Sequence, residues 1–246
     1  MRRTFALVLS FFAFSATAAT RDIHKALPLA ADGSVSVDTH NGSVTVVAWP
    51  QPSVDIAAHI EAERDDALRE TDVKISDGGS SVSIVSQYPN HDFPSLAFFS
   101  FNSSPTISYT IHVPAGARVR IDDHNAHTVV TGLRGDLRIH CHNGSIRVRG
   151  LGGAADIEMH NGSADVEFAS FTKPSRFTTH SGDFDVTLPA ASRFTLNTDT
   201  RRRESVASDF PVTVTHNRAS LNGTVNGGGP ELRFEAHNGN LKLRRE

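Results

Sequence analysis

Residues 139–150 read IHCHNGSIRVRG, and the four letters His142-Asn143-Gly144-Ser145 inside them decide the fold. The same four return as His40-Asn41-Gly42-Ser43 and as His160-Asn161-Gly162-Ser163. Looser copies stand at His124-Asn125-Ala126, His180-Ser181-Gly182-Asp183 and His237-Asn238-Gly239-Asn240. The spacing is 18 residues from His124 to His142, 18 again to His160, and 20 to His180. After that the copies degrade: Thr200 takes the next place, and His216-Asn217 and His237-Asn238 follow 21 apart. A fixed period of this length is the mark of a repeat architecture.

Apolar residues alternate within each copy, as in a half-buried strand. Three places before the histidine stand Val37, Ile121, Ile139, Ile157, Phe177 and Phe234; six places after it stand Val46, Val130, Val148, Val166, Val186 and Leu243. Polar residues fill the alternate sites, among them Asp122, Arg138, His140, Asp156 and Glu158. Each copy therefore predicts two short strands around a tight bend. Glycine takes positive φ without steric cost and asparagine tolerates the left-handed region, so Asn-Gly supplies the bend, with Gly144 and Gly162 at positive-φ corners. A second glycine-rich turn, as in TGLRGD and RGLGGAA, closes each copy. Two architectures satisfy this pattern. One is an antiparallel meander of Asn-Gly hairpins; the other is a parallel β-solenoid with equivalent residues stacked about 4.8 Å apart. Recurring asparagine favours stacking of like on like.

The start of the chain reads as a secretory signal peptide over residues 1–19. Arg2 and Arg3 precede a short apolar run and an Ala16-Thr17-Ala18 pattern, which places cleavage near Ala18 or Ala19. No later stretch is long and apolar enough to span a membrane as a helix. Residues 20–246 then form one domain, irregular strands and a short helix at 64–71 over 20–117 and regular repeats of 18–21 residues over 118–246. The net charge is −3, and basic residues alternate with acidic ones along the chain, which argues against a nucleic-acid-binding face. Arg201-Arg202-Arg203 is the one concentrated run and reads as a solvated turn. Cys141 is the sole cysteine, so no intramolecular disulfide forms; its parity places it inside as a small apolar group.

The succession VDTHNGSVTV, YTIHVPAGARVRID, the repeats from Val130 to Phe168, THSGDFDVTLPA and NGGGPELRFEAHNGNLKL resembles the bacterial putative-adhesin β-strand-repeat family, exported domains of unknown function. The resemblance runs from about Val35 to Leu243. It implies an all-β, elongated parallel β-solenoid with an irregular N-terminal region and one short helix. It brings no catalytic residues and no cofactor. The chain departs from the family in its histidine, where Thr or Ser is expected, and in glycines lost at Ala126, around Arg202 and at Arg218.

Three functions compete. The first is a non-enzymatic envelope or surface protein, an adhesin-like scaffold or binding module whose partner is an envelope protein or glycan. The second is a polysaccharide-acting enzyme, for which Asp122, Arg138, Asp156 and Glu158 share outward parity; no G-x-S-x-G, H-E-x-x-H or P-loop accompanies them. The third is a metal-binding protein in which His124, His142 and His160 form a column; zinc needs three or four converging ligands, and a straight column converges poorly. The first is the expected function, with no metal and no catalytic residues. The stretch 90–105, with Phe93, Phe98, Phe99 and Phe101, is expected to cover an open end of the core or to contact a partner.

Overall fold

The computed structural model describes residues 18–88, 104–200, 206–217 and 221–246, with side chains throughout except at 215–217. Most of the leader, the Phe93–Phe101 stretch, Arg201–Arg203 and Arg218 lie outside the described residues. Strands β1 (Ala19–Pro28), β2 (Ser34–Trp49) and β3 (Ser53–Ala62) precede helix α1 (Asp65–Glu70). That helix falls within the expected 64–71, buries no residue and sets Asp65 and Asp66 in its first turn, where the helix dipole favours acids. Strands β4 (Asp72–Asp77), β5 (Ser81–Gln87) and β6 (Thr106–Pro114) lead into the regular copies β7 (Arg118–Thr131), β8 (Leu137–Leu151), β9 (Ala155–Phe168) and β10 (Ser175–Leu188). The remainder is β11 (Phe194–Thr200), β12 (Val206–Ser208), β13 (Thr213–Asn217), β14 (Leu221–Val225), β15 (Glu231–Ala236) and β16 (Leu241–Arg245).

Strands β2, β7, β8, β9 and β10 pair in that order, all parallel. The central copies are thus stacked rather than folded into hairpins. Each is one continuous strand through the bend: Asn143 still faces Asn161 and Gly144 still faces Gly162. The expectation of two short strands gives way because the neighbouring copies bend at the same residue, which keeps their ladder in register. At the ends each long strand hands over to two short ones. β2 pairs through its first half with β5 and its second with β6, and β10 does the same with β15 and β16. Beyond them the sheet is antiparallel, as β1–β3–β6, β4–β5 and β11–β14–β13. The sheet as a whole is mixed: parallel pairing runs from β5 and β6 through the central copies to β11 and β12, and only the outermost pairs are antiparallel.

The core lies between the two halves of the bent strands. Val37, Ile121, Ile139, Ile157, Phe177 and Phe234 form one unbroken file of paired residues. Val46, Val130, Val148, Val166, Val186 and Leu243 form the facing file. All twelve are buried. The two halves meet across the core, with the rings of Phe177 and Phe184 5.3 Å apart. Period-2 alternation is what turns every second residue to this side, and a one-residue slip would expose the whole file.

The C-terminal copy departs from chain order. β15 and β16 insert between β10 and the pair β11 and β12, so Phe177 faces Phe234, and Phe234 faces Thr198. The copy that carries the His-Asn-Gly motif continues the stack. The copy that lacks it, at Thr200, is displaced outward.

Candidate functional site

The bend of every copy lies on one edge, and there the histidines meet. The rings of His40, His124, His142, His160, His180 and His237 stack in this order, with centroids 4.5, 4.6, 4.6, 4.7 and 4.8 Å apart and planes within 9° of parallel. His124, His142 and His160 are therefore outward edge residues, and the column is twice as long as those three. One further signal was present in the sequence: His40 and His237 are followed by the same Asn-Gly, and His180 by Ser-Gly. Strand spacing of about 4.8 Å sets the interval, which is close to an offset-stacking distance for aromatic rings.

Asparagine follows one residue later. The side-chain amide of Asn125 donates to Asn41 at 3.1 Å, that of Asn143 to Asn125 at 3.1 Å, and that of Asn161 to Asn143 at 2.9 Å. Glycine completes the edge for two different reasons. Gly42 and Gly162 hold φ of 129° and 133°, which only glycine adopts readily. Gly144 is not among the positive-φ residues, contrary to expectation. It is glycine because a Cβ there would lie 2.1 Å from the carbonyl oxygen of Ala126 on the next strand.

A hydroxyl network closes one end of the column. Tyr88 sets its ring edge-on to His40, at 5.9 Å, and its hydroxyl accepts from the backbone N–H of His40 and of Asn41. The Ser86 hydroxyl joins Thr39 at 3.1 Å and the buried Tyr109 at 2.7 Å. Just inside the edge, Asp123 faces Cys141 on the adjacent strand and takes a hydrogen bond from Thr128 at 3.1 Å. Burial pushes the Asp123 carboxyl above the usual carboxylate range, against hydrogen bonds from Cys141 and Thr128 that pull it down. Burial also raises the Cys141 thiol, aided by the neighbouring Asp123, so this cysteine is held as the thiol. A raised folded pKa means that the native state holds the proton more tightly, so stability falls as pH climbs through that pKa. Asp123→Asn is expected to raise the urea midpoint at pH 7.5 and leave it nearly unchanged at pH 4. A midpoint raised equally at both pH values would contradict this.

The stacked rings do not turn their nitrogens toward one shared point. A zinc ion sits about 2.1 Å from an imidazole nitrogen, in the ring plane. Parallel rings more than 4 Å apart direct their lone pairs along parallel lines, so adjacent nitrogens do not converge. Among the described residues no group of three His, Cys, Asp or Glu side chains gathers around a common point. Protonating two neighbours would place like charges about 4.6 Å apart, worth about 1 kcal/mol of repulsion per pair in water. A His124→Thr, His142→Thr, His160→Thr variant is expected to fold at pH 7.5, as circular dichroism would show; failure to fold would mean that the bend needs the imidazole column.

The outward acids and bases are arranged differently from a catalytic pair. Asp122 is clamped by Arg120 at 2.6 and 2.9 Å, and Asp156 lies 3.6 Å from Arg138. Glu158 sits between His140 and Thr178 on the outer face of the first half. Asp122 is thus paired within its own strand, and Asp156 faces Arg138 across two.

With the bent parallel stack and its edge in view, the family is defined: a model described as Toastrack DUF4097 matches residues 9–244, and the chain belongs to that family. No curated protein matches. Among solved structures, a putative cell adhesion protein from Clostridium sporogenes aligns over 92% of this chain and 100% of its own, with a TM-score of 0.51 at 7% identity. A putative adhesin from Bacteroides fragilis aligns over 92% and 97%, with a TM-score of 0.26 at 8% identity. The Clostridium likeness is one of fold. No helix among the described residues is long and apolar enough to cross a membrane.

Proposed function

We propose that this chain is a non-enzymatic, exported module of the cell envelope, an adhesin-like scaffold or binding domain that acts as one unit from residue 20 to 246. Its central copies are the coils of a β-solenoid capped by antiparallel strands. The observation that carries the reading is the bent, in-register stack itself. It turns two flat walls and one ladder-like edge outward, the kind of extended face that repeat proteins use for binding. Several of the outward acids and bases pair with one another, which suits a wet recognition surface better than proton transfer. Family membership and the adhesion-related name of the Clostridium structure agree with this. Export rests on the leader, and the first strand pairs Ala19 with Ala62, so cleavage near Ala18 or Ala19 leaves β1 almost whole.

The test is retention of the purified mature protein on isolated envelopes and sacculi, together with incubation on a panel of polysaccharides. Saturable retention with no change in glycan chain length is the expected outcome. Depolymerisation of any member would replace the binding reading with the enzymatic one.

A further inference from the structure

Along the chain, basic and acidic residues alternate, but stacking brings together residues that are distant in sequence. On the outer face of the first half, Ser81 faces Ser34 and Ser83 faces Ser36. Ser34 in turn faces Arg118, Ser36 faces Arg120, and Arg120 faces Arg138. The result is a square of four hydroxyls walled on one side by three guanidinium groups, around a groove of about 410 Å³. Like charges directly opposite on adjacent strands are unfavourable unless something answers them.

The answer from within the protein is incomplete. Arg120 is held by Asp122, and Arg138 reaches Asp156 only at 3.6 Å. Asp136, which also lines the groove, is engaged by Lys173 at 2.7 Å. The Arg118 guanidinium makes no hydrogen bond or ion pair among the described residues, though its charge acts on nearby Asp136, and none of the four serine side chains makes a hydrogen bond. The four hydroxyls and the Arg118 guanidinium thus line the groove beside Val35, Val82, Val119 and Leu137.

We propose that this groove binds a phosphoryl group carried on a small polar molecule such as a sugar, which names a ligand class for the binding function proposed above and rests on that reading. Arginine matches phosphate oxygens bidentately, and serine hydroxyls donate to the oxygens left over. The donors outnumber the two oxygens of a carboxylate and suit the terminal oxygens of a phosphoryl group. Beyond Arg138 the row is broken by Asp156 before Arg176 and Arg233, so the basic groups do not form the unbroken stripe of a nucleic-acid track.

The experiment is calorimetric titration of the mature protein with glucose 6-phosphate, with glucose and glucuronate as controls, and flotation with phosphatidic acid vesicles against phosphatidylcholine vesicles. Arg118→Ala and Ser36→Leu alter the groove, and Arg176→Ala removes a guanidinium elsewhere on the same wall. Glucose 6-phosphate is expected to bind where glucose does not, with affinity reduced about tenfold or more in Arg118→Ala and Ser36→Leu and unchanged in Arg176→Ala. Binding to phosphatidic acid vesicles alone, with the same variant pattern, would support the phosphoryl site and assign it to a lipid headgroup. Absence of phosphate-dependent binding to either probe, equal affinity for glucuronate, or an equal loss in Arg176→Ala overturns the assignment. Retention on envelopes without phosphoryl binding would sink this site alone, whereas phosphoryl binding without retention would sink the envelope-module reading.

Discussion

Phe177→Ala is expected to destabilise the fold by about 3–5 kcal/mol, the range for emptying a buried phenylalanine site. Phe177 is fully buried, pairs with Ile157 on one side and Phe234 on the other, and touches Phe184 across the core. The void would open where the inserted C-terminal copy joins the central ones, so both flanks lose packing. Its neighbour Thr178 faces outward in the same strand, and Thr178→Ala should cost under about 0.5 kcal/mol. Urea denaturation of the two variants checks the pair. Similar losses for both would refute the assignment of faces.

The other large effect is expected at the edge. Gly162→Val adds a β-branched side chain at φ 133°, and its Cβ would start 1.9 Å from the carbonyl oxygen of Gly144. Backbone strain of about 1–3 kcal/mol adds to an overpacking cost of similar size. The strand cannot simply move away, because the same bend recurs in register on both sides. We expect a loss of about 3 kcal/mol or more by thermal or urea denaturation, or failure to fold. Gly144→Ala should also destabilise, by close approach alone. A Gly162→Val protein as stable as the wild type would show that the two strands do not approach as described.

Much of this is legible in the sequence. The two apolar places in each copy, three before the histidine and six after it, turned out to be the two buried files, because alternation dictates which face a residue takes. The turn chemistry of Asn-Gly located the edge, although Gly144 serves close packing rather than positive φ. The histidines lined up because their parity and position relative to the bend were shared. What chain-order reading misses is neighbourhood. His40 stacks on His124 across the whole of β3–β6, and His237 stacks on His180 past β11–β14. Nothing in local periodicity carries that information. The histidine does, since the copy with Thr200 in its place cannot continue the imidazole column and lies outside it. Charge neighbourhood is hidden in the sequence for the same reason. Arg120 and Arg138 are each close in sequence to acids, yet they face one another across strands. The Phe93–Phe101 stretch lies outside the described residues, so its expected cover of an open end is still a proposal.

The central claim is that the repeated motif, and not chain order, sets which copy stacks on which. Cysteine cross-linking tests it directly, in a Cys141→Ala background. Thr178 and Glu235 face one another on adjacent parallel strands, whereas Asp199 lies one strand further out, beyond Glu235. Adjacent strands are about 4.8 Å apart, within reach of a disulfide, and a separation of two strands exceeds the limit of about 7 Å. Thr178→Cys paired with Glu235→Cys is expected to close almost completely under mild oxidation, while Thr178→Cys with Asp199→Cys stays open. The reverse result, closure to residue 199 and none to residue 235, would mean that the copies stack in chain order and that the column of six histidines does not exist.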